Sequence, residues 1–594
     1  MKIKHLFGLA VIAAMTASCS SNEDLGTAGP STGNNETGVG YATFTINLPT
    51  TSGTRAITND QFDGGTASEY AVNDATLLIF EKDGSSEKDY KFVESVSLGN
   101  LEPWKKDNVT DNGITTEATI TAELNSASVG TTDKYYALVI LNNKVGTNNK
   151  VTLPTTSTPP TYGDWNVATN ASAEYFVNNK DGFYMANAPE FTTAKAEPTT
   201  LVKIQGIYRT KEEAQRNAAT TVHVERGLAK VTVRSNSTSD YFSTVGATVA
   251  ENKYKDDVVK ITHWALDVTN KRSFPVHVTS GLKAGLTSTD QTVPAYADIW
   301  NDEAAATGTT PATSRFVSHP ATGAFKRVYW GIDPNYSMGL TDLTKCKEQF
   351  TIVKTDGSDA DWKSSKEPLY CLENTFDITH MLQGQTTRVL LKATYIPSAL
   401  ASATDKTFFM IGNSSDIWTM DNLKKQIESK AKEALGITTG LTVVLKGDLL
   451  KGGTHFLTTE NVSIKDGETE KVNEPELVGK LNTKLGLDET KGVGIKTYKD
   501  GESYYIARIK HFGDDLTPWV AGNDTYGGKN LNWLGRYGVL RNNWYDLTIN
   551  SISGPGYPDV PEVKPKDPDD KDTKFISVSV KILDWAKRSQ SWDL

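Results

Sequence analysis

KFISVSVKILDWAKRSQSWDL, residues 574–594, is the stretch on which the reading of this chain turns. Ile576, Val578, Val580 and Ile582 alternate with Ser577, Ser579 and Lys581, the period-two pattern of a strand with one buried face. Just upstream, PGYPDVPEVKPKDPDDKDT (residues 555–573) is rich in proline and charge, which predicts an extended, solvated tether. A strand of core quality on a leash at a chain end has two readings. It folds back onto its own sheet, or it is meant for the sheet of another copy.

Length and composition frame that choice. A chain of 594 residues is too long for one core and predicts two domains with end segments. With 38% hydrophobic and 23% charged residues it has the composition of a globular protein. The formal charge of -10 argues against nucleic acid as a partner. Threonine, serine, glycine and asparagine are abundant and helical runs are few, so the prediction is a mainly β protein with many loops.

The first residues read as an export signal. Lys2, Lys4 and His5 precede the apolar run of residues 6–15, which is too short to span a bilayer. Thr16, Ala17 and Ser18 then lead into Cys19, and this start resembles a bacterial lipoprotein signal, in which Cys19 is acylated and becomes the first residue. The serine- and acid-containing residues 20–24 resemble the post-cysteine segments of surface-exported Bacteroidota lipoproteins. Two other cysteines, Cys346 and Cys371, remain, and sequence alone does not place them within bridging distance.

After a polar spacer (residues 20–40), YATFTINLP presents a second strand with four apolar teeth, Ala42, Phe44, Ile46 and Leu48. Burying such a set contributes roughly 5–10 kcal/mol as an upper figure. Two strands of one length and pattern at opposite ends of the chain can serve the same groove in turn. The polar loop that follows the first, residues 50–60, contains a single basic residue, Arg55, and such loops are where proteases cut most readily. Cleavage between Arg55 and Ala56 by a trypsin-like enzyme would release the first strand together with the lipid anchor.

The expected organisation is a signal peptide (1–18), a lipidated propeptide with a displaceable strand (19–55) and an N-terminal β-sandwich domain (56–221). A C-terminal β-sandwich domain (222–554) and the tether with its donor strand (555–594) complete it. Strand signals recur at residues 75–84, 135–143, 222–235, 261–270, 386–395, 503–512 and 543–552. The clearest helix covers residues 419–435, with Leu423, Ile427, Ala431 and Leu435 on one face and Asp421 at its expected N-cap.

Motifs for catalysis are missing from the sequence: it contains no GxSxG, HExxH, phosphate-binding loop or dinucleotide fingerprint. No metal-ligand spacing stands out, and neither a cofactor nor an enzymatic activity is expected. His223, His263 and His511 fall inside strand patterns and read as structural, and the adjacent acids Asp514-Asp515 and Asp569-Asp570 read as solvated turns. Trp519, Trp533 and Trp544 supply a competing reading, a surface-anchored lipoprotein that stacks sugars on aromatic faces.

Taken together, the start at Cys19, the strand and arginine loop ending at Arg55, VERGLAKVTV (224–233), ITHWALDVTNKRSF (261–274), YCLENT (370–375), VLRNNWYDLTINSI (539–552) and the closing ISVSVKILDW resemble a fimbrillin of the Mfa type, the short-fimbria shaft subunits of Bacteroidales. That resemblance implies two tandem transthyretin-like β-sandwich domains and a palmitoylated outer-membrane precursor. It also implies removal of the segment ending at Arg55 by an arginine-specific protease, and filling of the vacated groove by a neighbour's terminal strand. The partners it implies are further copies of the chain, fimbrial anchor and tip subunits, the processing protease, the outer membrane through the precursor's lipid, and host or bacterial surface receptors.

Overall fold

The computed structural model describes residues 38–48, 66–99, 101, 117–130, 133–158, 160–168, 171–178, 180–190, 198–235, 244–246, 253–279, 327–329, 331–335, 340, 342–364, 367–374, 380–474, 476–517, 535–570 and 576–584. Side chains of residues 571–594 are not described, so the last strand is known by its backbone pairing alone.

The first unit is one long sheet curled over its own core. Its strands are β1 (Gly40–Asn47), β2 (Ala75–Glu81), β3 (Lys91–Ser97), β4 (Glu117–Leu124), β5 (Tyr135–Leu141), β6 (Met185–Asn187) and β7 (Thr220–Arg226), with a short helix α1 (Ala67–Tyr70) between β1 and β2. They lie in the order β3-β2-β5-β6-β7-β1-β4. Alternation explains the fold: Leu77 and Ile79, Ala137 and Val139, Val222 and Val224 all turn into one core with Phe44 and Ile46. The two rims are tied where the buried Glu94 carboxylate of β3 accepts the backbone N–H groups of Asn125, Ser126 and Ala127, at 2.9, 2.9 and 3.1 Å, just past β4.

Crossing to the second unit happens at Gly227. A Cβ there would sit 2.7 Å from the Phe176 ring, so only glycine lets the chain pass so close. The sequence reading set the boundary at 221/222; β7 instead pairs within the first sheet, because Val222 and Val224 continue its apolar face. The second unit is a sandwich of two four-stranded sheets. Its strands are β8 (Leu228–Ser235), β9 (Thr244–Gly246), β10 (Val258–Asp267), β11 (Leu369–Leu372), β12 (Arg388–Ile396), β13 (Glu502–Arg508), β14 (Asn543–Ile552) and β15 (Ile576–Asp584). The sheets run β11-β8-β14-β15 and β9-β10-β12-β13, and Val231, Val233, Ile261, Trp264, Leu391, Tyr505 and Leu547 fill the space between them. The mainly β architecture expected from the sequence is present in both units, as one sheet folded over on itself in the first and as two facing sheets in the second.

A third module was not foreseen. β12 and β13 are antiparallel neighbours, with Thr394 opposite Glu502, yet about a hundred residues separate them in the chain. Those residues form an α+β insert with its own core, in which Leu423, Ile427, Ala431, Leu449, Val462, Ile464 and Leu481 are buried. Its main helix, α2 (Met420–Leu435), is capped two residues ahead of the expected position: Thr419, not Asp421, accepts the N–H of Asn422. Gly436 closes it in the left-handed conformation at φ 68°.

The tether is the largest departure. Residues 555–570 do not trail in solvent but run back along the second sandwich, where Val560 and Val563 are buried. Tyr557 exchanges two backbone hydrogen bonds with Tyr504, Pro568 pairs with Leu382, and the Arg388 guanidinium reaches Pro561 O at 3.0 Å. Proline-rich composition signals extended backbone; it does not distinguish extended-in-water from extended-along-a-sheet.

Candidate assembly site

β1 sits between β4 and β7, antiparallel to the first and parallel to the second. Ala42, Phe44 and Ile46 are fully buried and Leu48 nearly so. Its other face makes a ladder with β4: Thr43 with Thr121 and Thr45 with Thr119, each at 3.0 Å, and Asn47 donating to Glu117 at 2.8 Å. A strand held on both edges and on one face fills a slot, and removing it would bare two strand edges and a strip of core.

At the other end of the chain, β15 pairs antiparallel with its own β14, on the rim of the second sandwich. Ile576, Val578, Val580 and Ile582 fall opposite Ile552, Ile549, Leu547 and Tyr545, all four of which are fully buried. The spacing of the four apolar positions equals that in β1. Of the two readings the tail allows, the structure displays the strand at home on its own sheet. Cys19, Arg55 and Ala56 lie outside the described residues, as do Trp519 and Trp533. Trp544 is engaged internally: it donates Nε1–H to Thr232 at 2.7 Å and lies under the Lys230 ammonium at 4.1 Å.

Two buried charge clusters flank these end strands, and neither was read from the sequence. Downstream of β1, the Glu69 carboxylate in α1 meets Lys230 Nζ at 2.8 Å, accepts the Tyr370 hydroxyl at 2.6 Å and closes a capping box with Thr66 N–H at 2.9 Å. Arg226 donates to the Glu69 carbonyl at 2.8 Å and to Asn542 at 3.2 Å. Burial works against the Glu69 charge, but Lys230 and these hydrogen bonds outweigh it and hold its pKa below the usual value. Upstream of β15, Asp569 pairs with Arg508 at 2.8 Å and accepts the Thr386 hydroxyl. Asp570 meets Arg536 at 2.8 Å and the Tyr537 hydroxyl at 2.7 Å. The solvated turn expected at Asp569-Asp570 is therefore a docked pair; burial pushes the Asp569 carboxyl up to about 6 despite Arg508.

The remaining candidates are structural. Cys346 and Cys371 are separate buried thiols in different cores, raised by burial to about 11 and about 12. His511 is buried with Nδ1 at 2.6 Å from the Tyr545 hydroxyl, and burial lowers His223 to about 4. Among the described residues no group of three acidic, histidine or cysteine side chains is placed to hold a metal ion.

Residues 496–591, which include β13, β14, the docked tether and β15, match the family model described as major fimbrial subunit protein type IV, fimbrillin, C-terminal. The fimbrillin resemblance read from the sequence is thus met again in the part of the chain that carries the tail. No curated protein matches the chain. Similar solved structures include a putative cell adhesion protein from Parabacteroides distasonis, 10% identical over 93% of this chain and 99% of that one, TM-score 0.37. A fimbrilin from Porphyromonas gingivalis is 12% identical over 92% and 99%, TM-score 0.34. The tip fimbrial protein Mfa3 of the same organism is 12% identical over 92% and 100%, TM-score 0.27.

Proposed function

We propose that this chain is a structural fimbrial subunit, made as a lipoprotein precursor anchored through Cys19 and activated by cleavage between Arg55 and Ala56. β1 then leaves with the anchor, and residues 576–584 of another copy take its slot between β4 and β7. The observation that supports this reading is the matched pair of end strands. One is wedged into a slot, and its chain connection to α1 and β2 runs through the segment of sequence that contains Arg55. The other sits on a rim it can vacate, with apolar residues at the same spacing. Backbone hydrogen bonds supply affinity for any strand in the slot and the alternate apolar teeth set its register. Repeated head to tail with a rotation that does not close on itself, this contact gives a filament that supports adhesion and biofilm growth. While β1 is in place the slot is full, which delays assembly until export and processing are complete.

Limited trypsin digestion of the purified precursor tests this. A cut after Arg55 followed by ladders on gels and fibres in electron micrographs is expected. Deleting residues 574–594 should leave folded monomers that extend no chain; fibres from the truncated protein would sink strand donation.

A further inference from the structure

If the terminal strand moves, the chain must bend somewhere upstream of it, and the sequence alone would put that bend at residue 555, where the proline- and charge-rich segment begins. The structure points elsewhere. From Gly556, whose N–H donates to Ser503 at 2.9 Å, to Asp570, the tether is bonded to the second sandwich along its length. Its last two residues are its firmest hold: Asp569 is fully buried against Arg508, and Asp570 lies against an Arg536 that is itself buried and also paired with Asp514 at 2.6 Å. Pulling Asp569 out would take the carboxylate from the buried Arg508, and pulling Asp570 out would take one of two carboxylates from the buried Arg536; both steps are costly. Five residues, 571–575, then separate Asp570 from the start of β15.

We propose that the paired clamp Arg508–Asp569 and Arg536–Asp570 is the fixed pivot of strand donation: the tether stays docked through Asp570 in the filament, and only residue 571 onward changes partner. This rests on the donation reading above and adds a geometric condition to it. Six peptide steps reach at most roughly 20 Å, so the neighbour's slot must open within that distance of Asp570. The receiving partner is accordingly a second copy whose first sandwich abuts the second sandwich close to where Asp570 is clamped. A tether free from residue 555 would set no such condition, and successive subunits would be loosely strung.

A covalent staple separates the two. Leu382 and Pro568 form an isolated antiparallel bridge flanked by the Gln383 N–H to Asp567 O and Asp569 N–H to Met381 O hydrogen bonds. That is a non-hydrogen-bonded pair, whose Cα atoms approach to about 4.5 Å, within disulfide range. Leu382→Cys with Pro568→Cys, its pairing verified by peptide mapping, should polymerise after processing without loss of fibre yield or length whether oxidised or reduced. Fibres from the reduced form only would mean that the tether peels away, overturning the pivot while leaving donation intact. No fibres even from processed wild-type protein would overturn both. Inserting four glycine and serine residues after Asp570 gives a second readout that needs no staple. The axial repeat should lengthen or become irregular by up to roughly 14 Å, whereas an unchanged repeat would reveal slack upstream and contradict the pivot.

Discussion

A buried carboxylate beside a guanidinium adds little net stability by being present, yet removing one partner leaves an uncompensated charge and costs about 3–5 kcal/mol. Asp569→Ala and Lys230→Met should each destabilise the folded chain by about that amount in chemical denaturation, since Arg508 and Glu69 would remain buried without their main counter-charges. The pH dependence of the first site has a definite sign. Asp569 carries a folded-state pKa of about 6 against 3.8 when free, so the folded chain holds its proton more tightly. That contribution favours folding at low pH and is lost as pH rises through about 6. The stability difference between wild type and Asp569→Asn should therefore drift between about pH 4 and pH 6, on the order of 3 kcal/mol at most, and flatten above about pH 7. None of this was legible in the sequence. Asp569 and Asp570 look like any acidic turn because their arginines lie some thirty to sixty residues away in the chain and meet them only in the fold.

Among the elements, the two end strands were legible and the pieces between them less so. β1 and β15 announce themselves because a period-two pattern of four apolar residues is a local signal that survives any tertiary context. Phe44→Ala should cost the precursor about 3–5 kcal/mol by opening a cavity in the first core. The same change should leave the processed subunit's stability untouched if β1 has departed, a contrast that thermal melts of the two forms would show. The tether misled because proline and charge describe backbone extension and say nothing of docking; Val560, Val563 and Asp569 were the residues that carried the packing. The insert escaped notice for another reason: that β12 and β13 are adjacent is a long-range fact, and the insert's strands are five residues or fewer. With its own buried core, residues 407–499 should fold cooperatively when expressed alone, as a single sigmoidal urea transition with protected amides in α2.

On the scale of the whole molecule, the placement of these parts fits a repeating unit. The insert hangs from the Ile396–Glu502 end of the second sandwich. The other end of the same strands, around Asp267 and Arg388, leads directly into Arg272 and Ser273, which pair with Ser172 and Ala171 of the first sandwich. The two sandwiches are therefore joined by backbone pairing and by the Glu69 and Arg226 contacts, while the insert lies at the far pole. The measurement that bears most directly on the account is the structure of fibres grown from the processed protein, read at the slot between β4 and β7. The account predicts that residues 576–584 of a neighbouring copy occupy it, with Phe44 and Ile46 gone. Fibres whose subunits still hold their own residues 40–47 in that slot, with the tail still paired to its own β14, would contradict it.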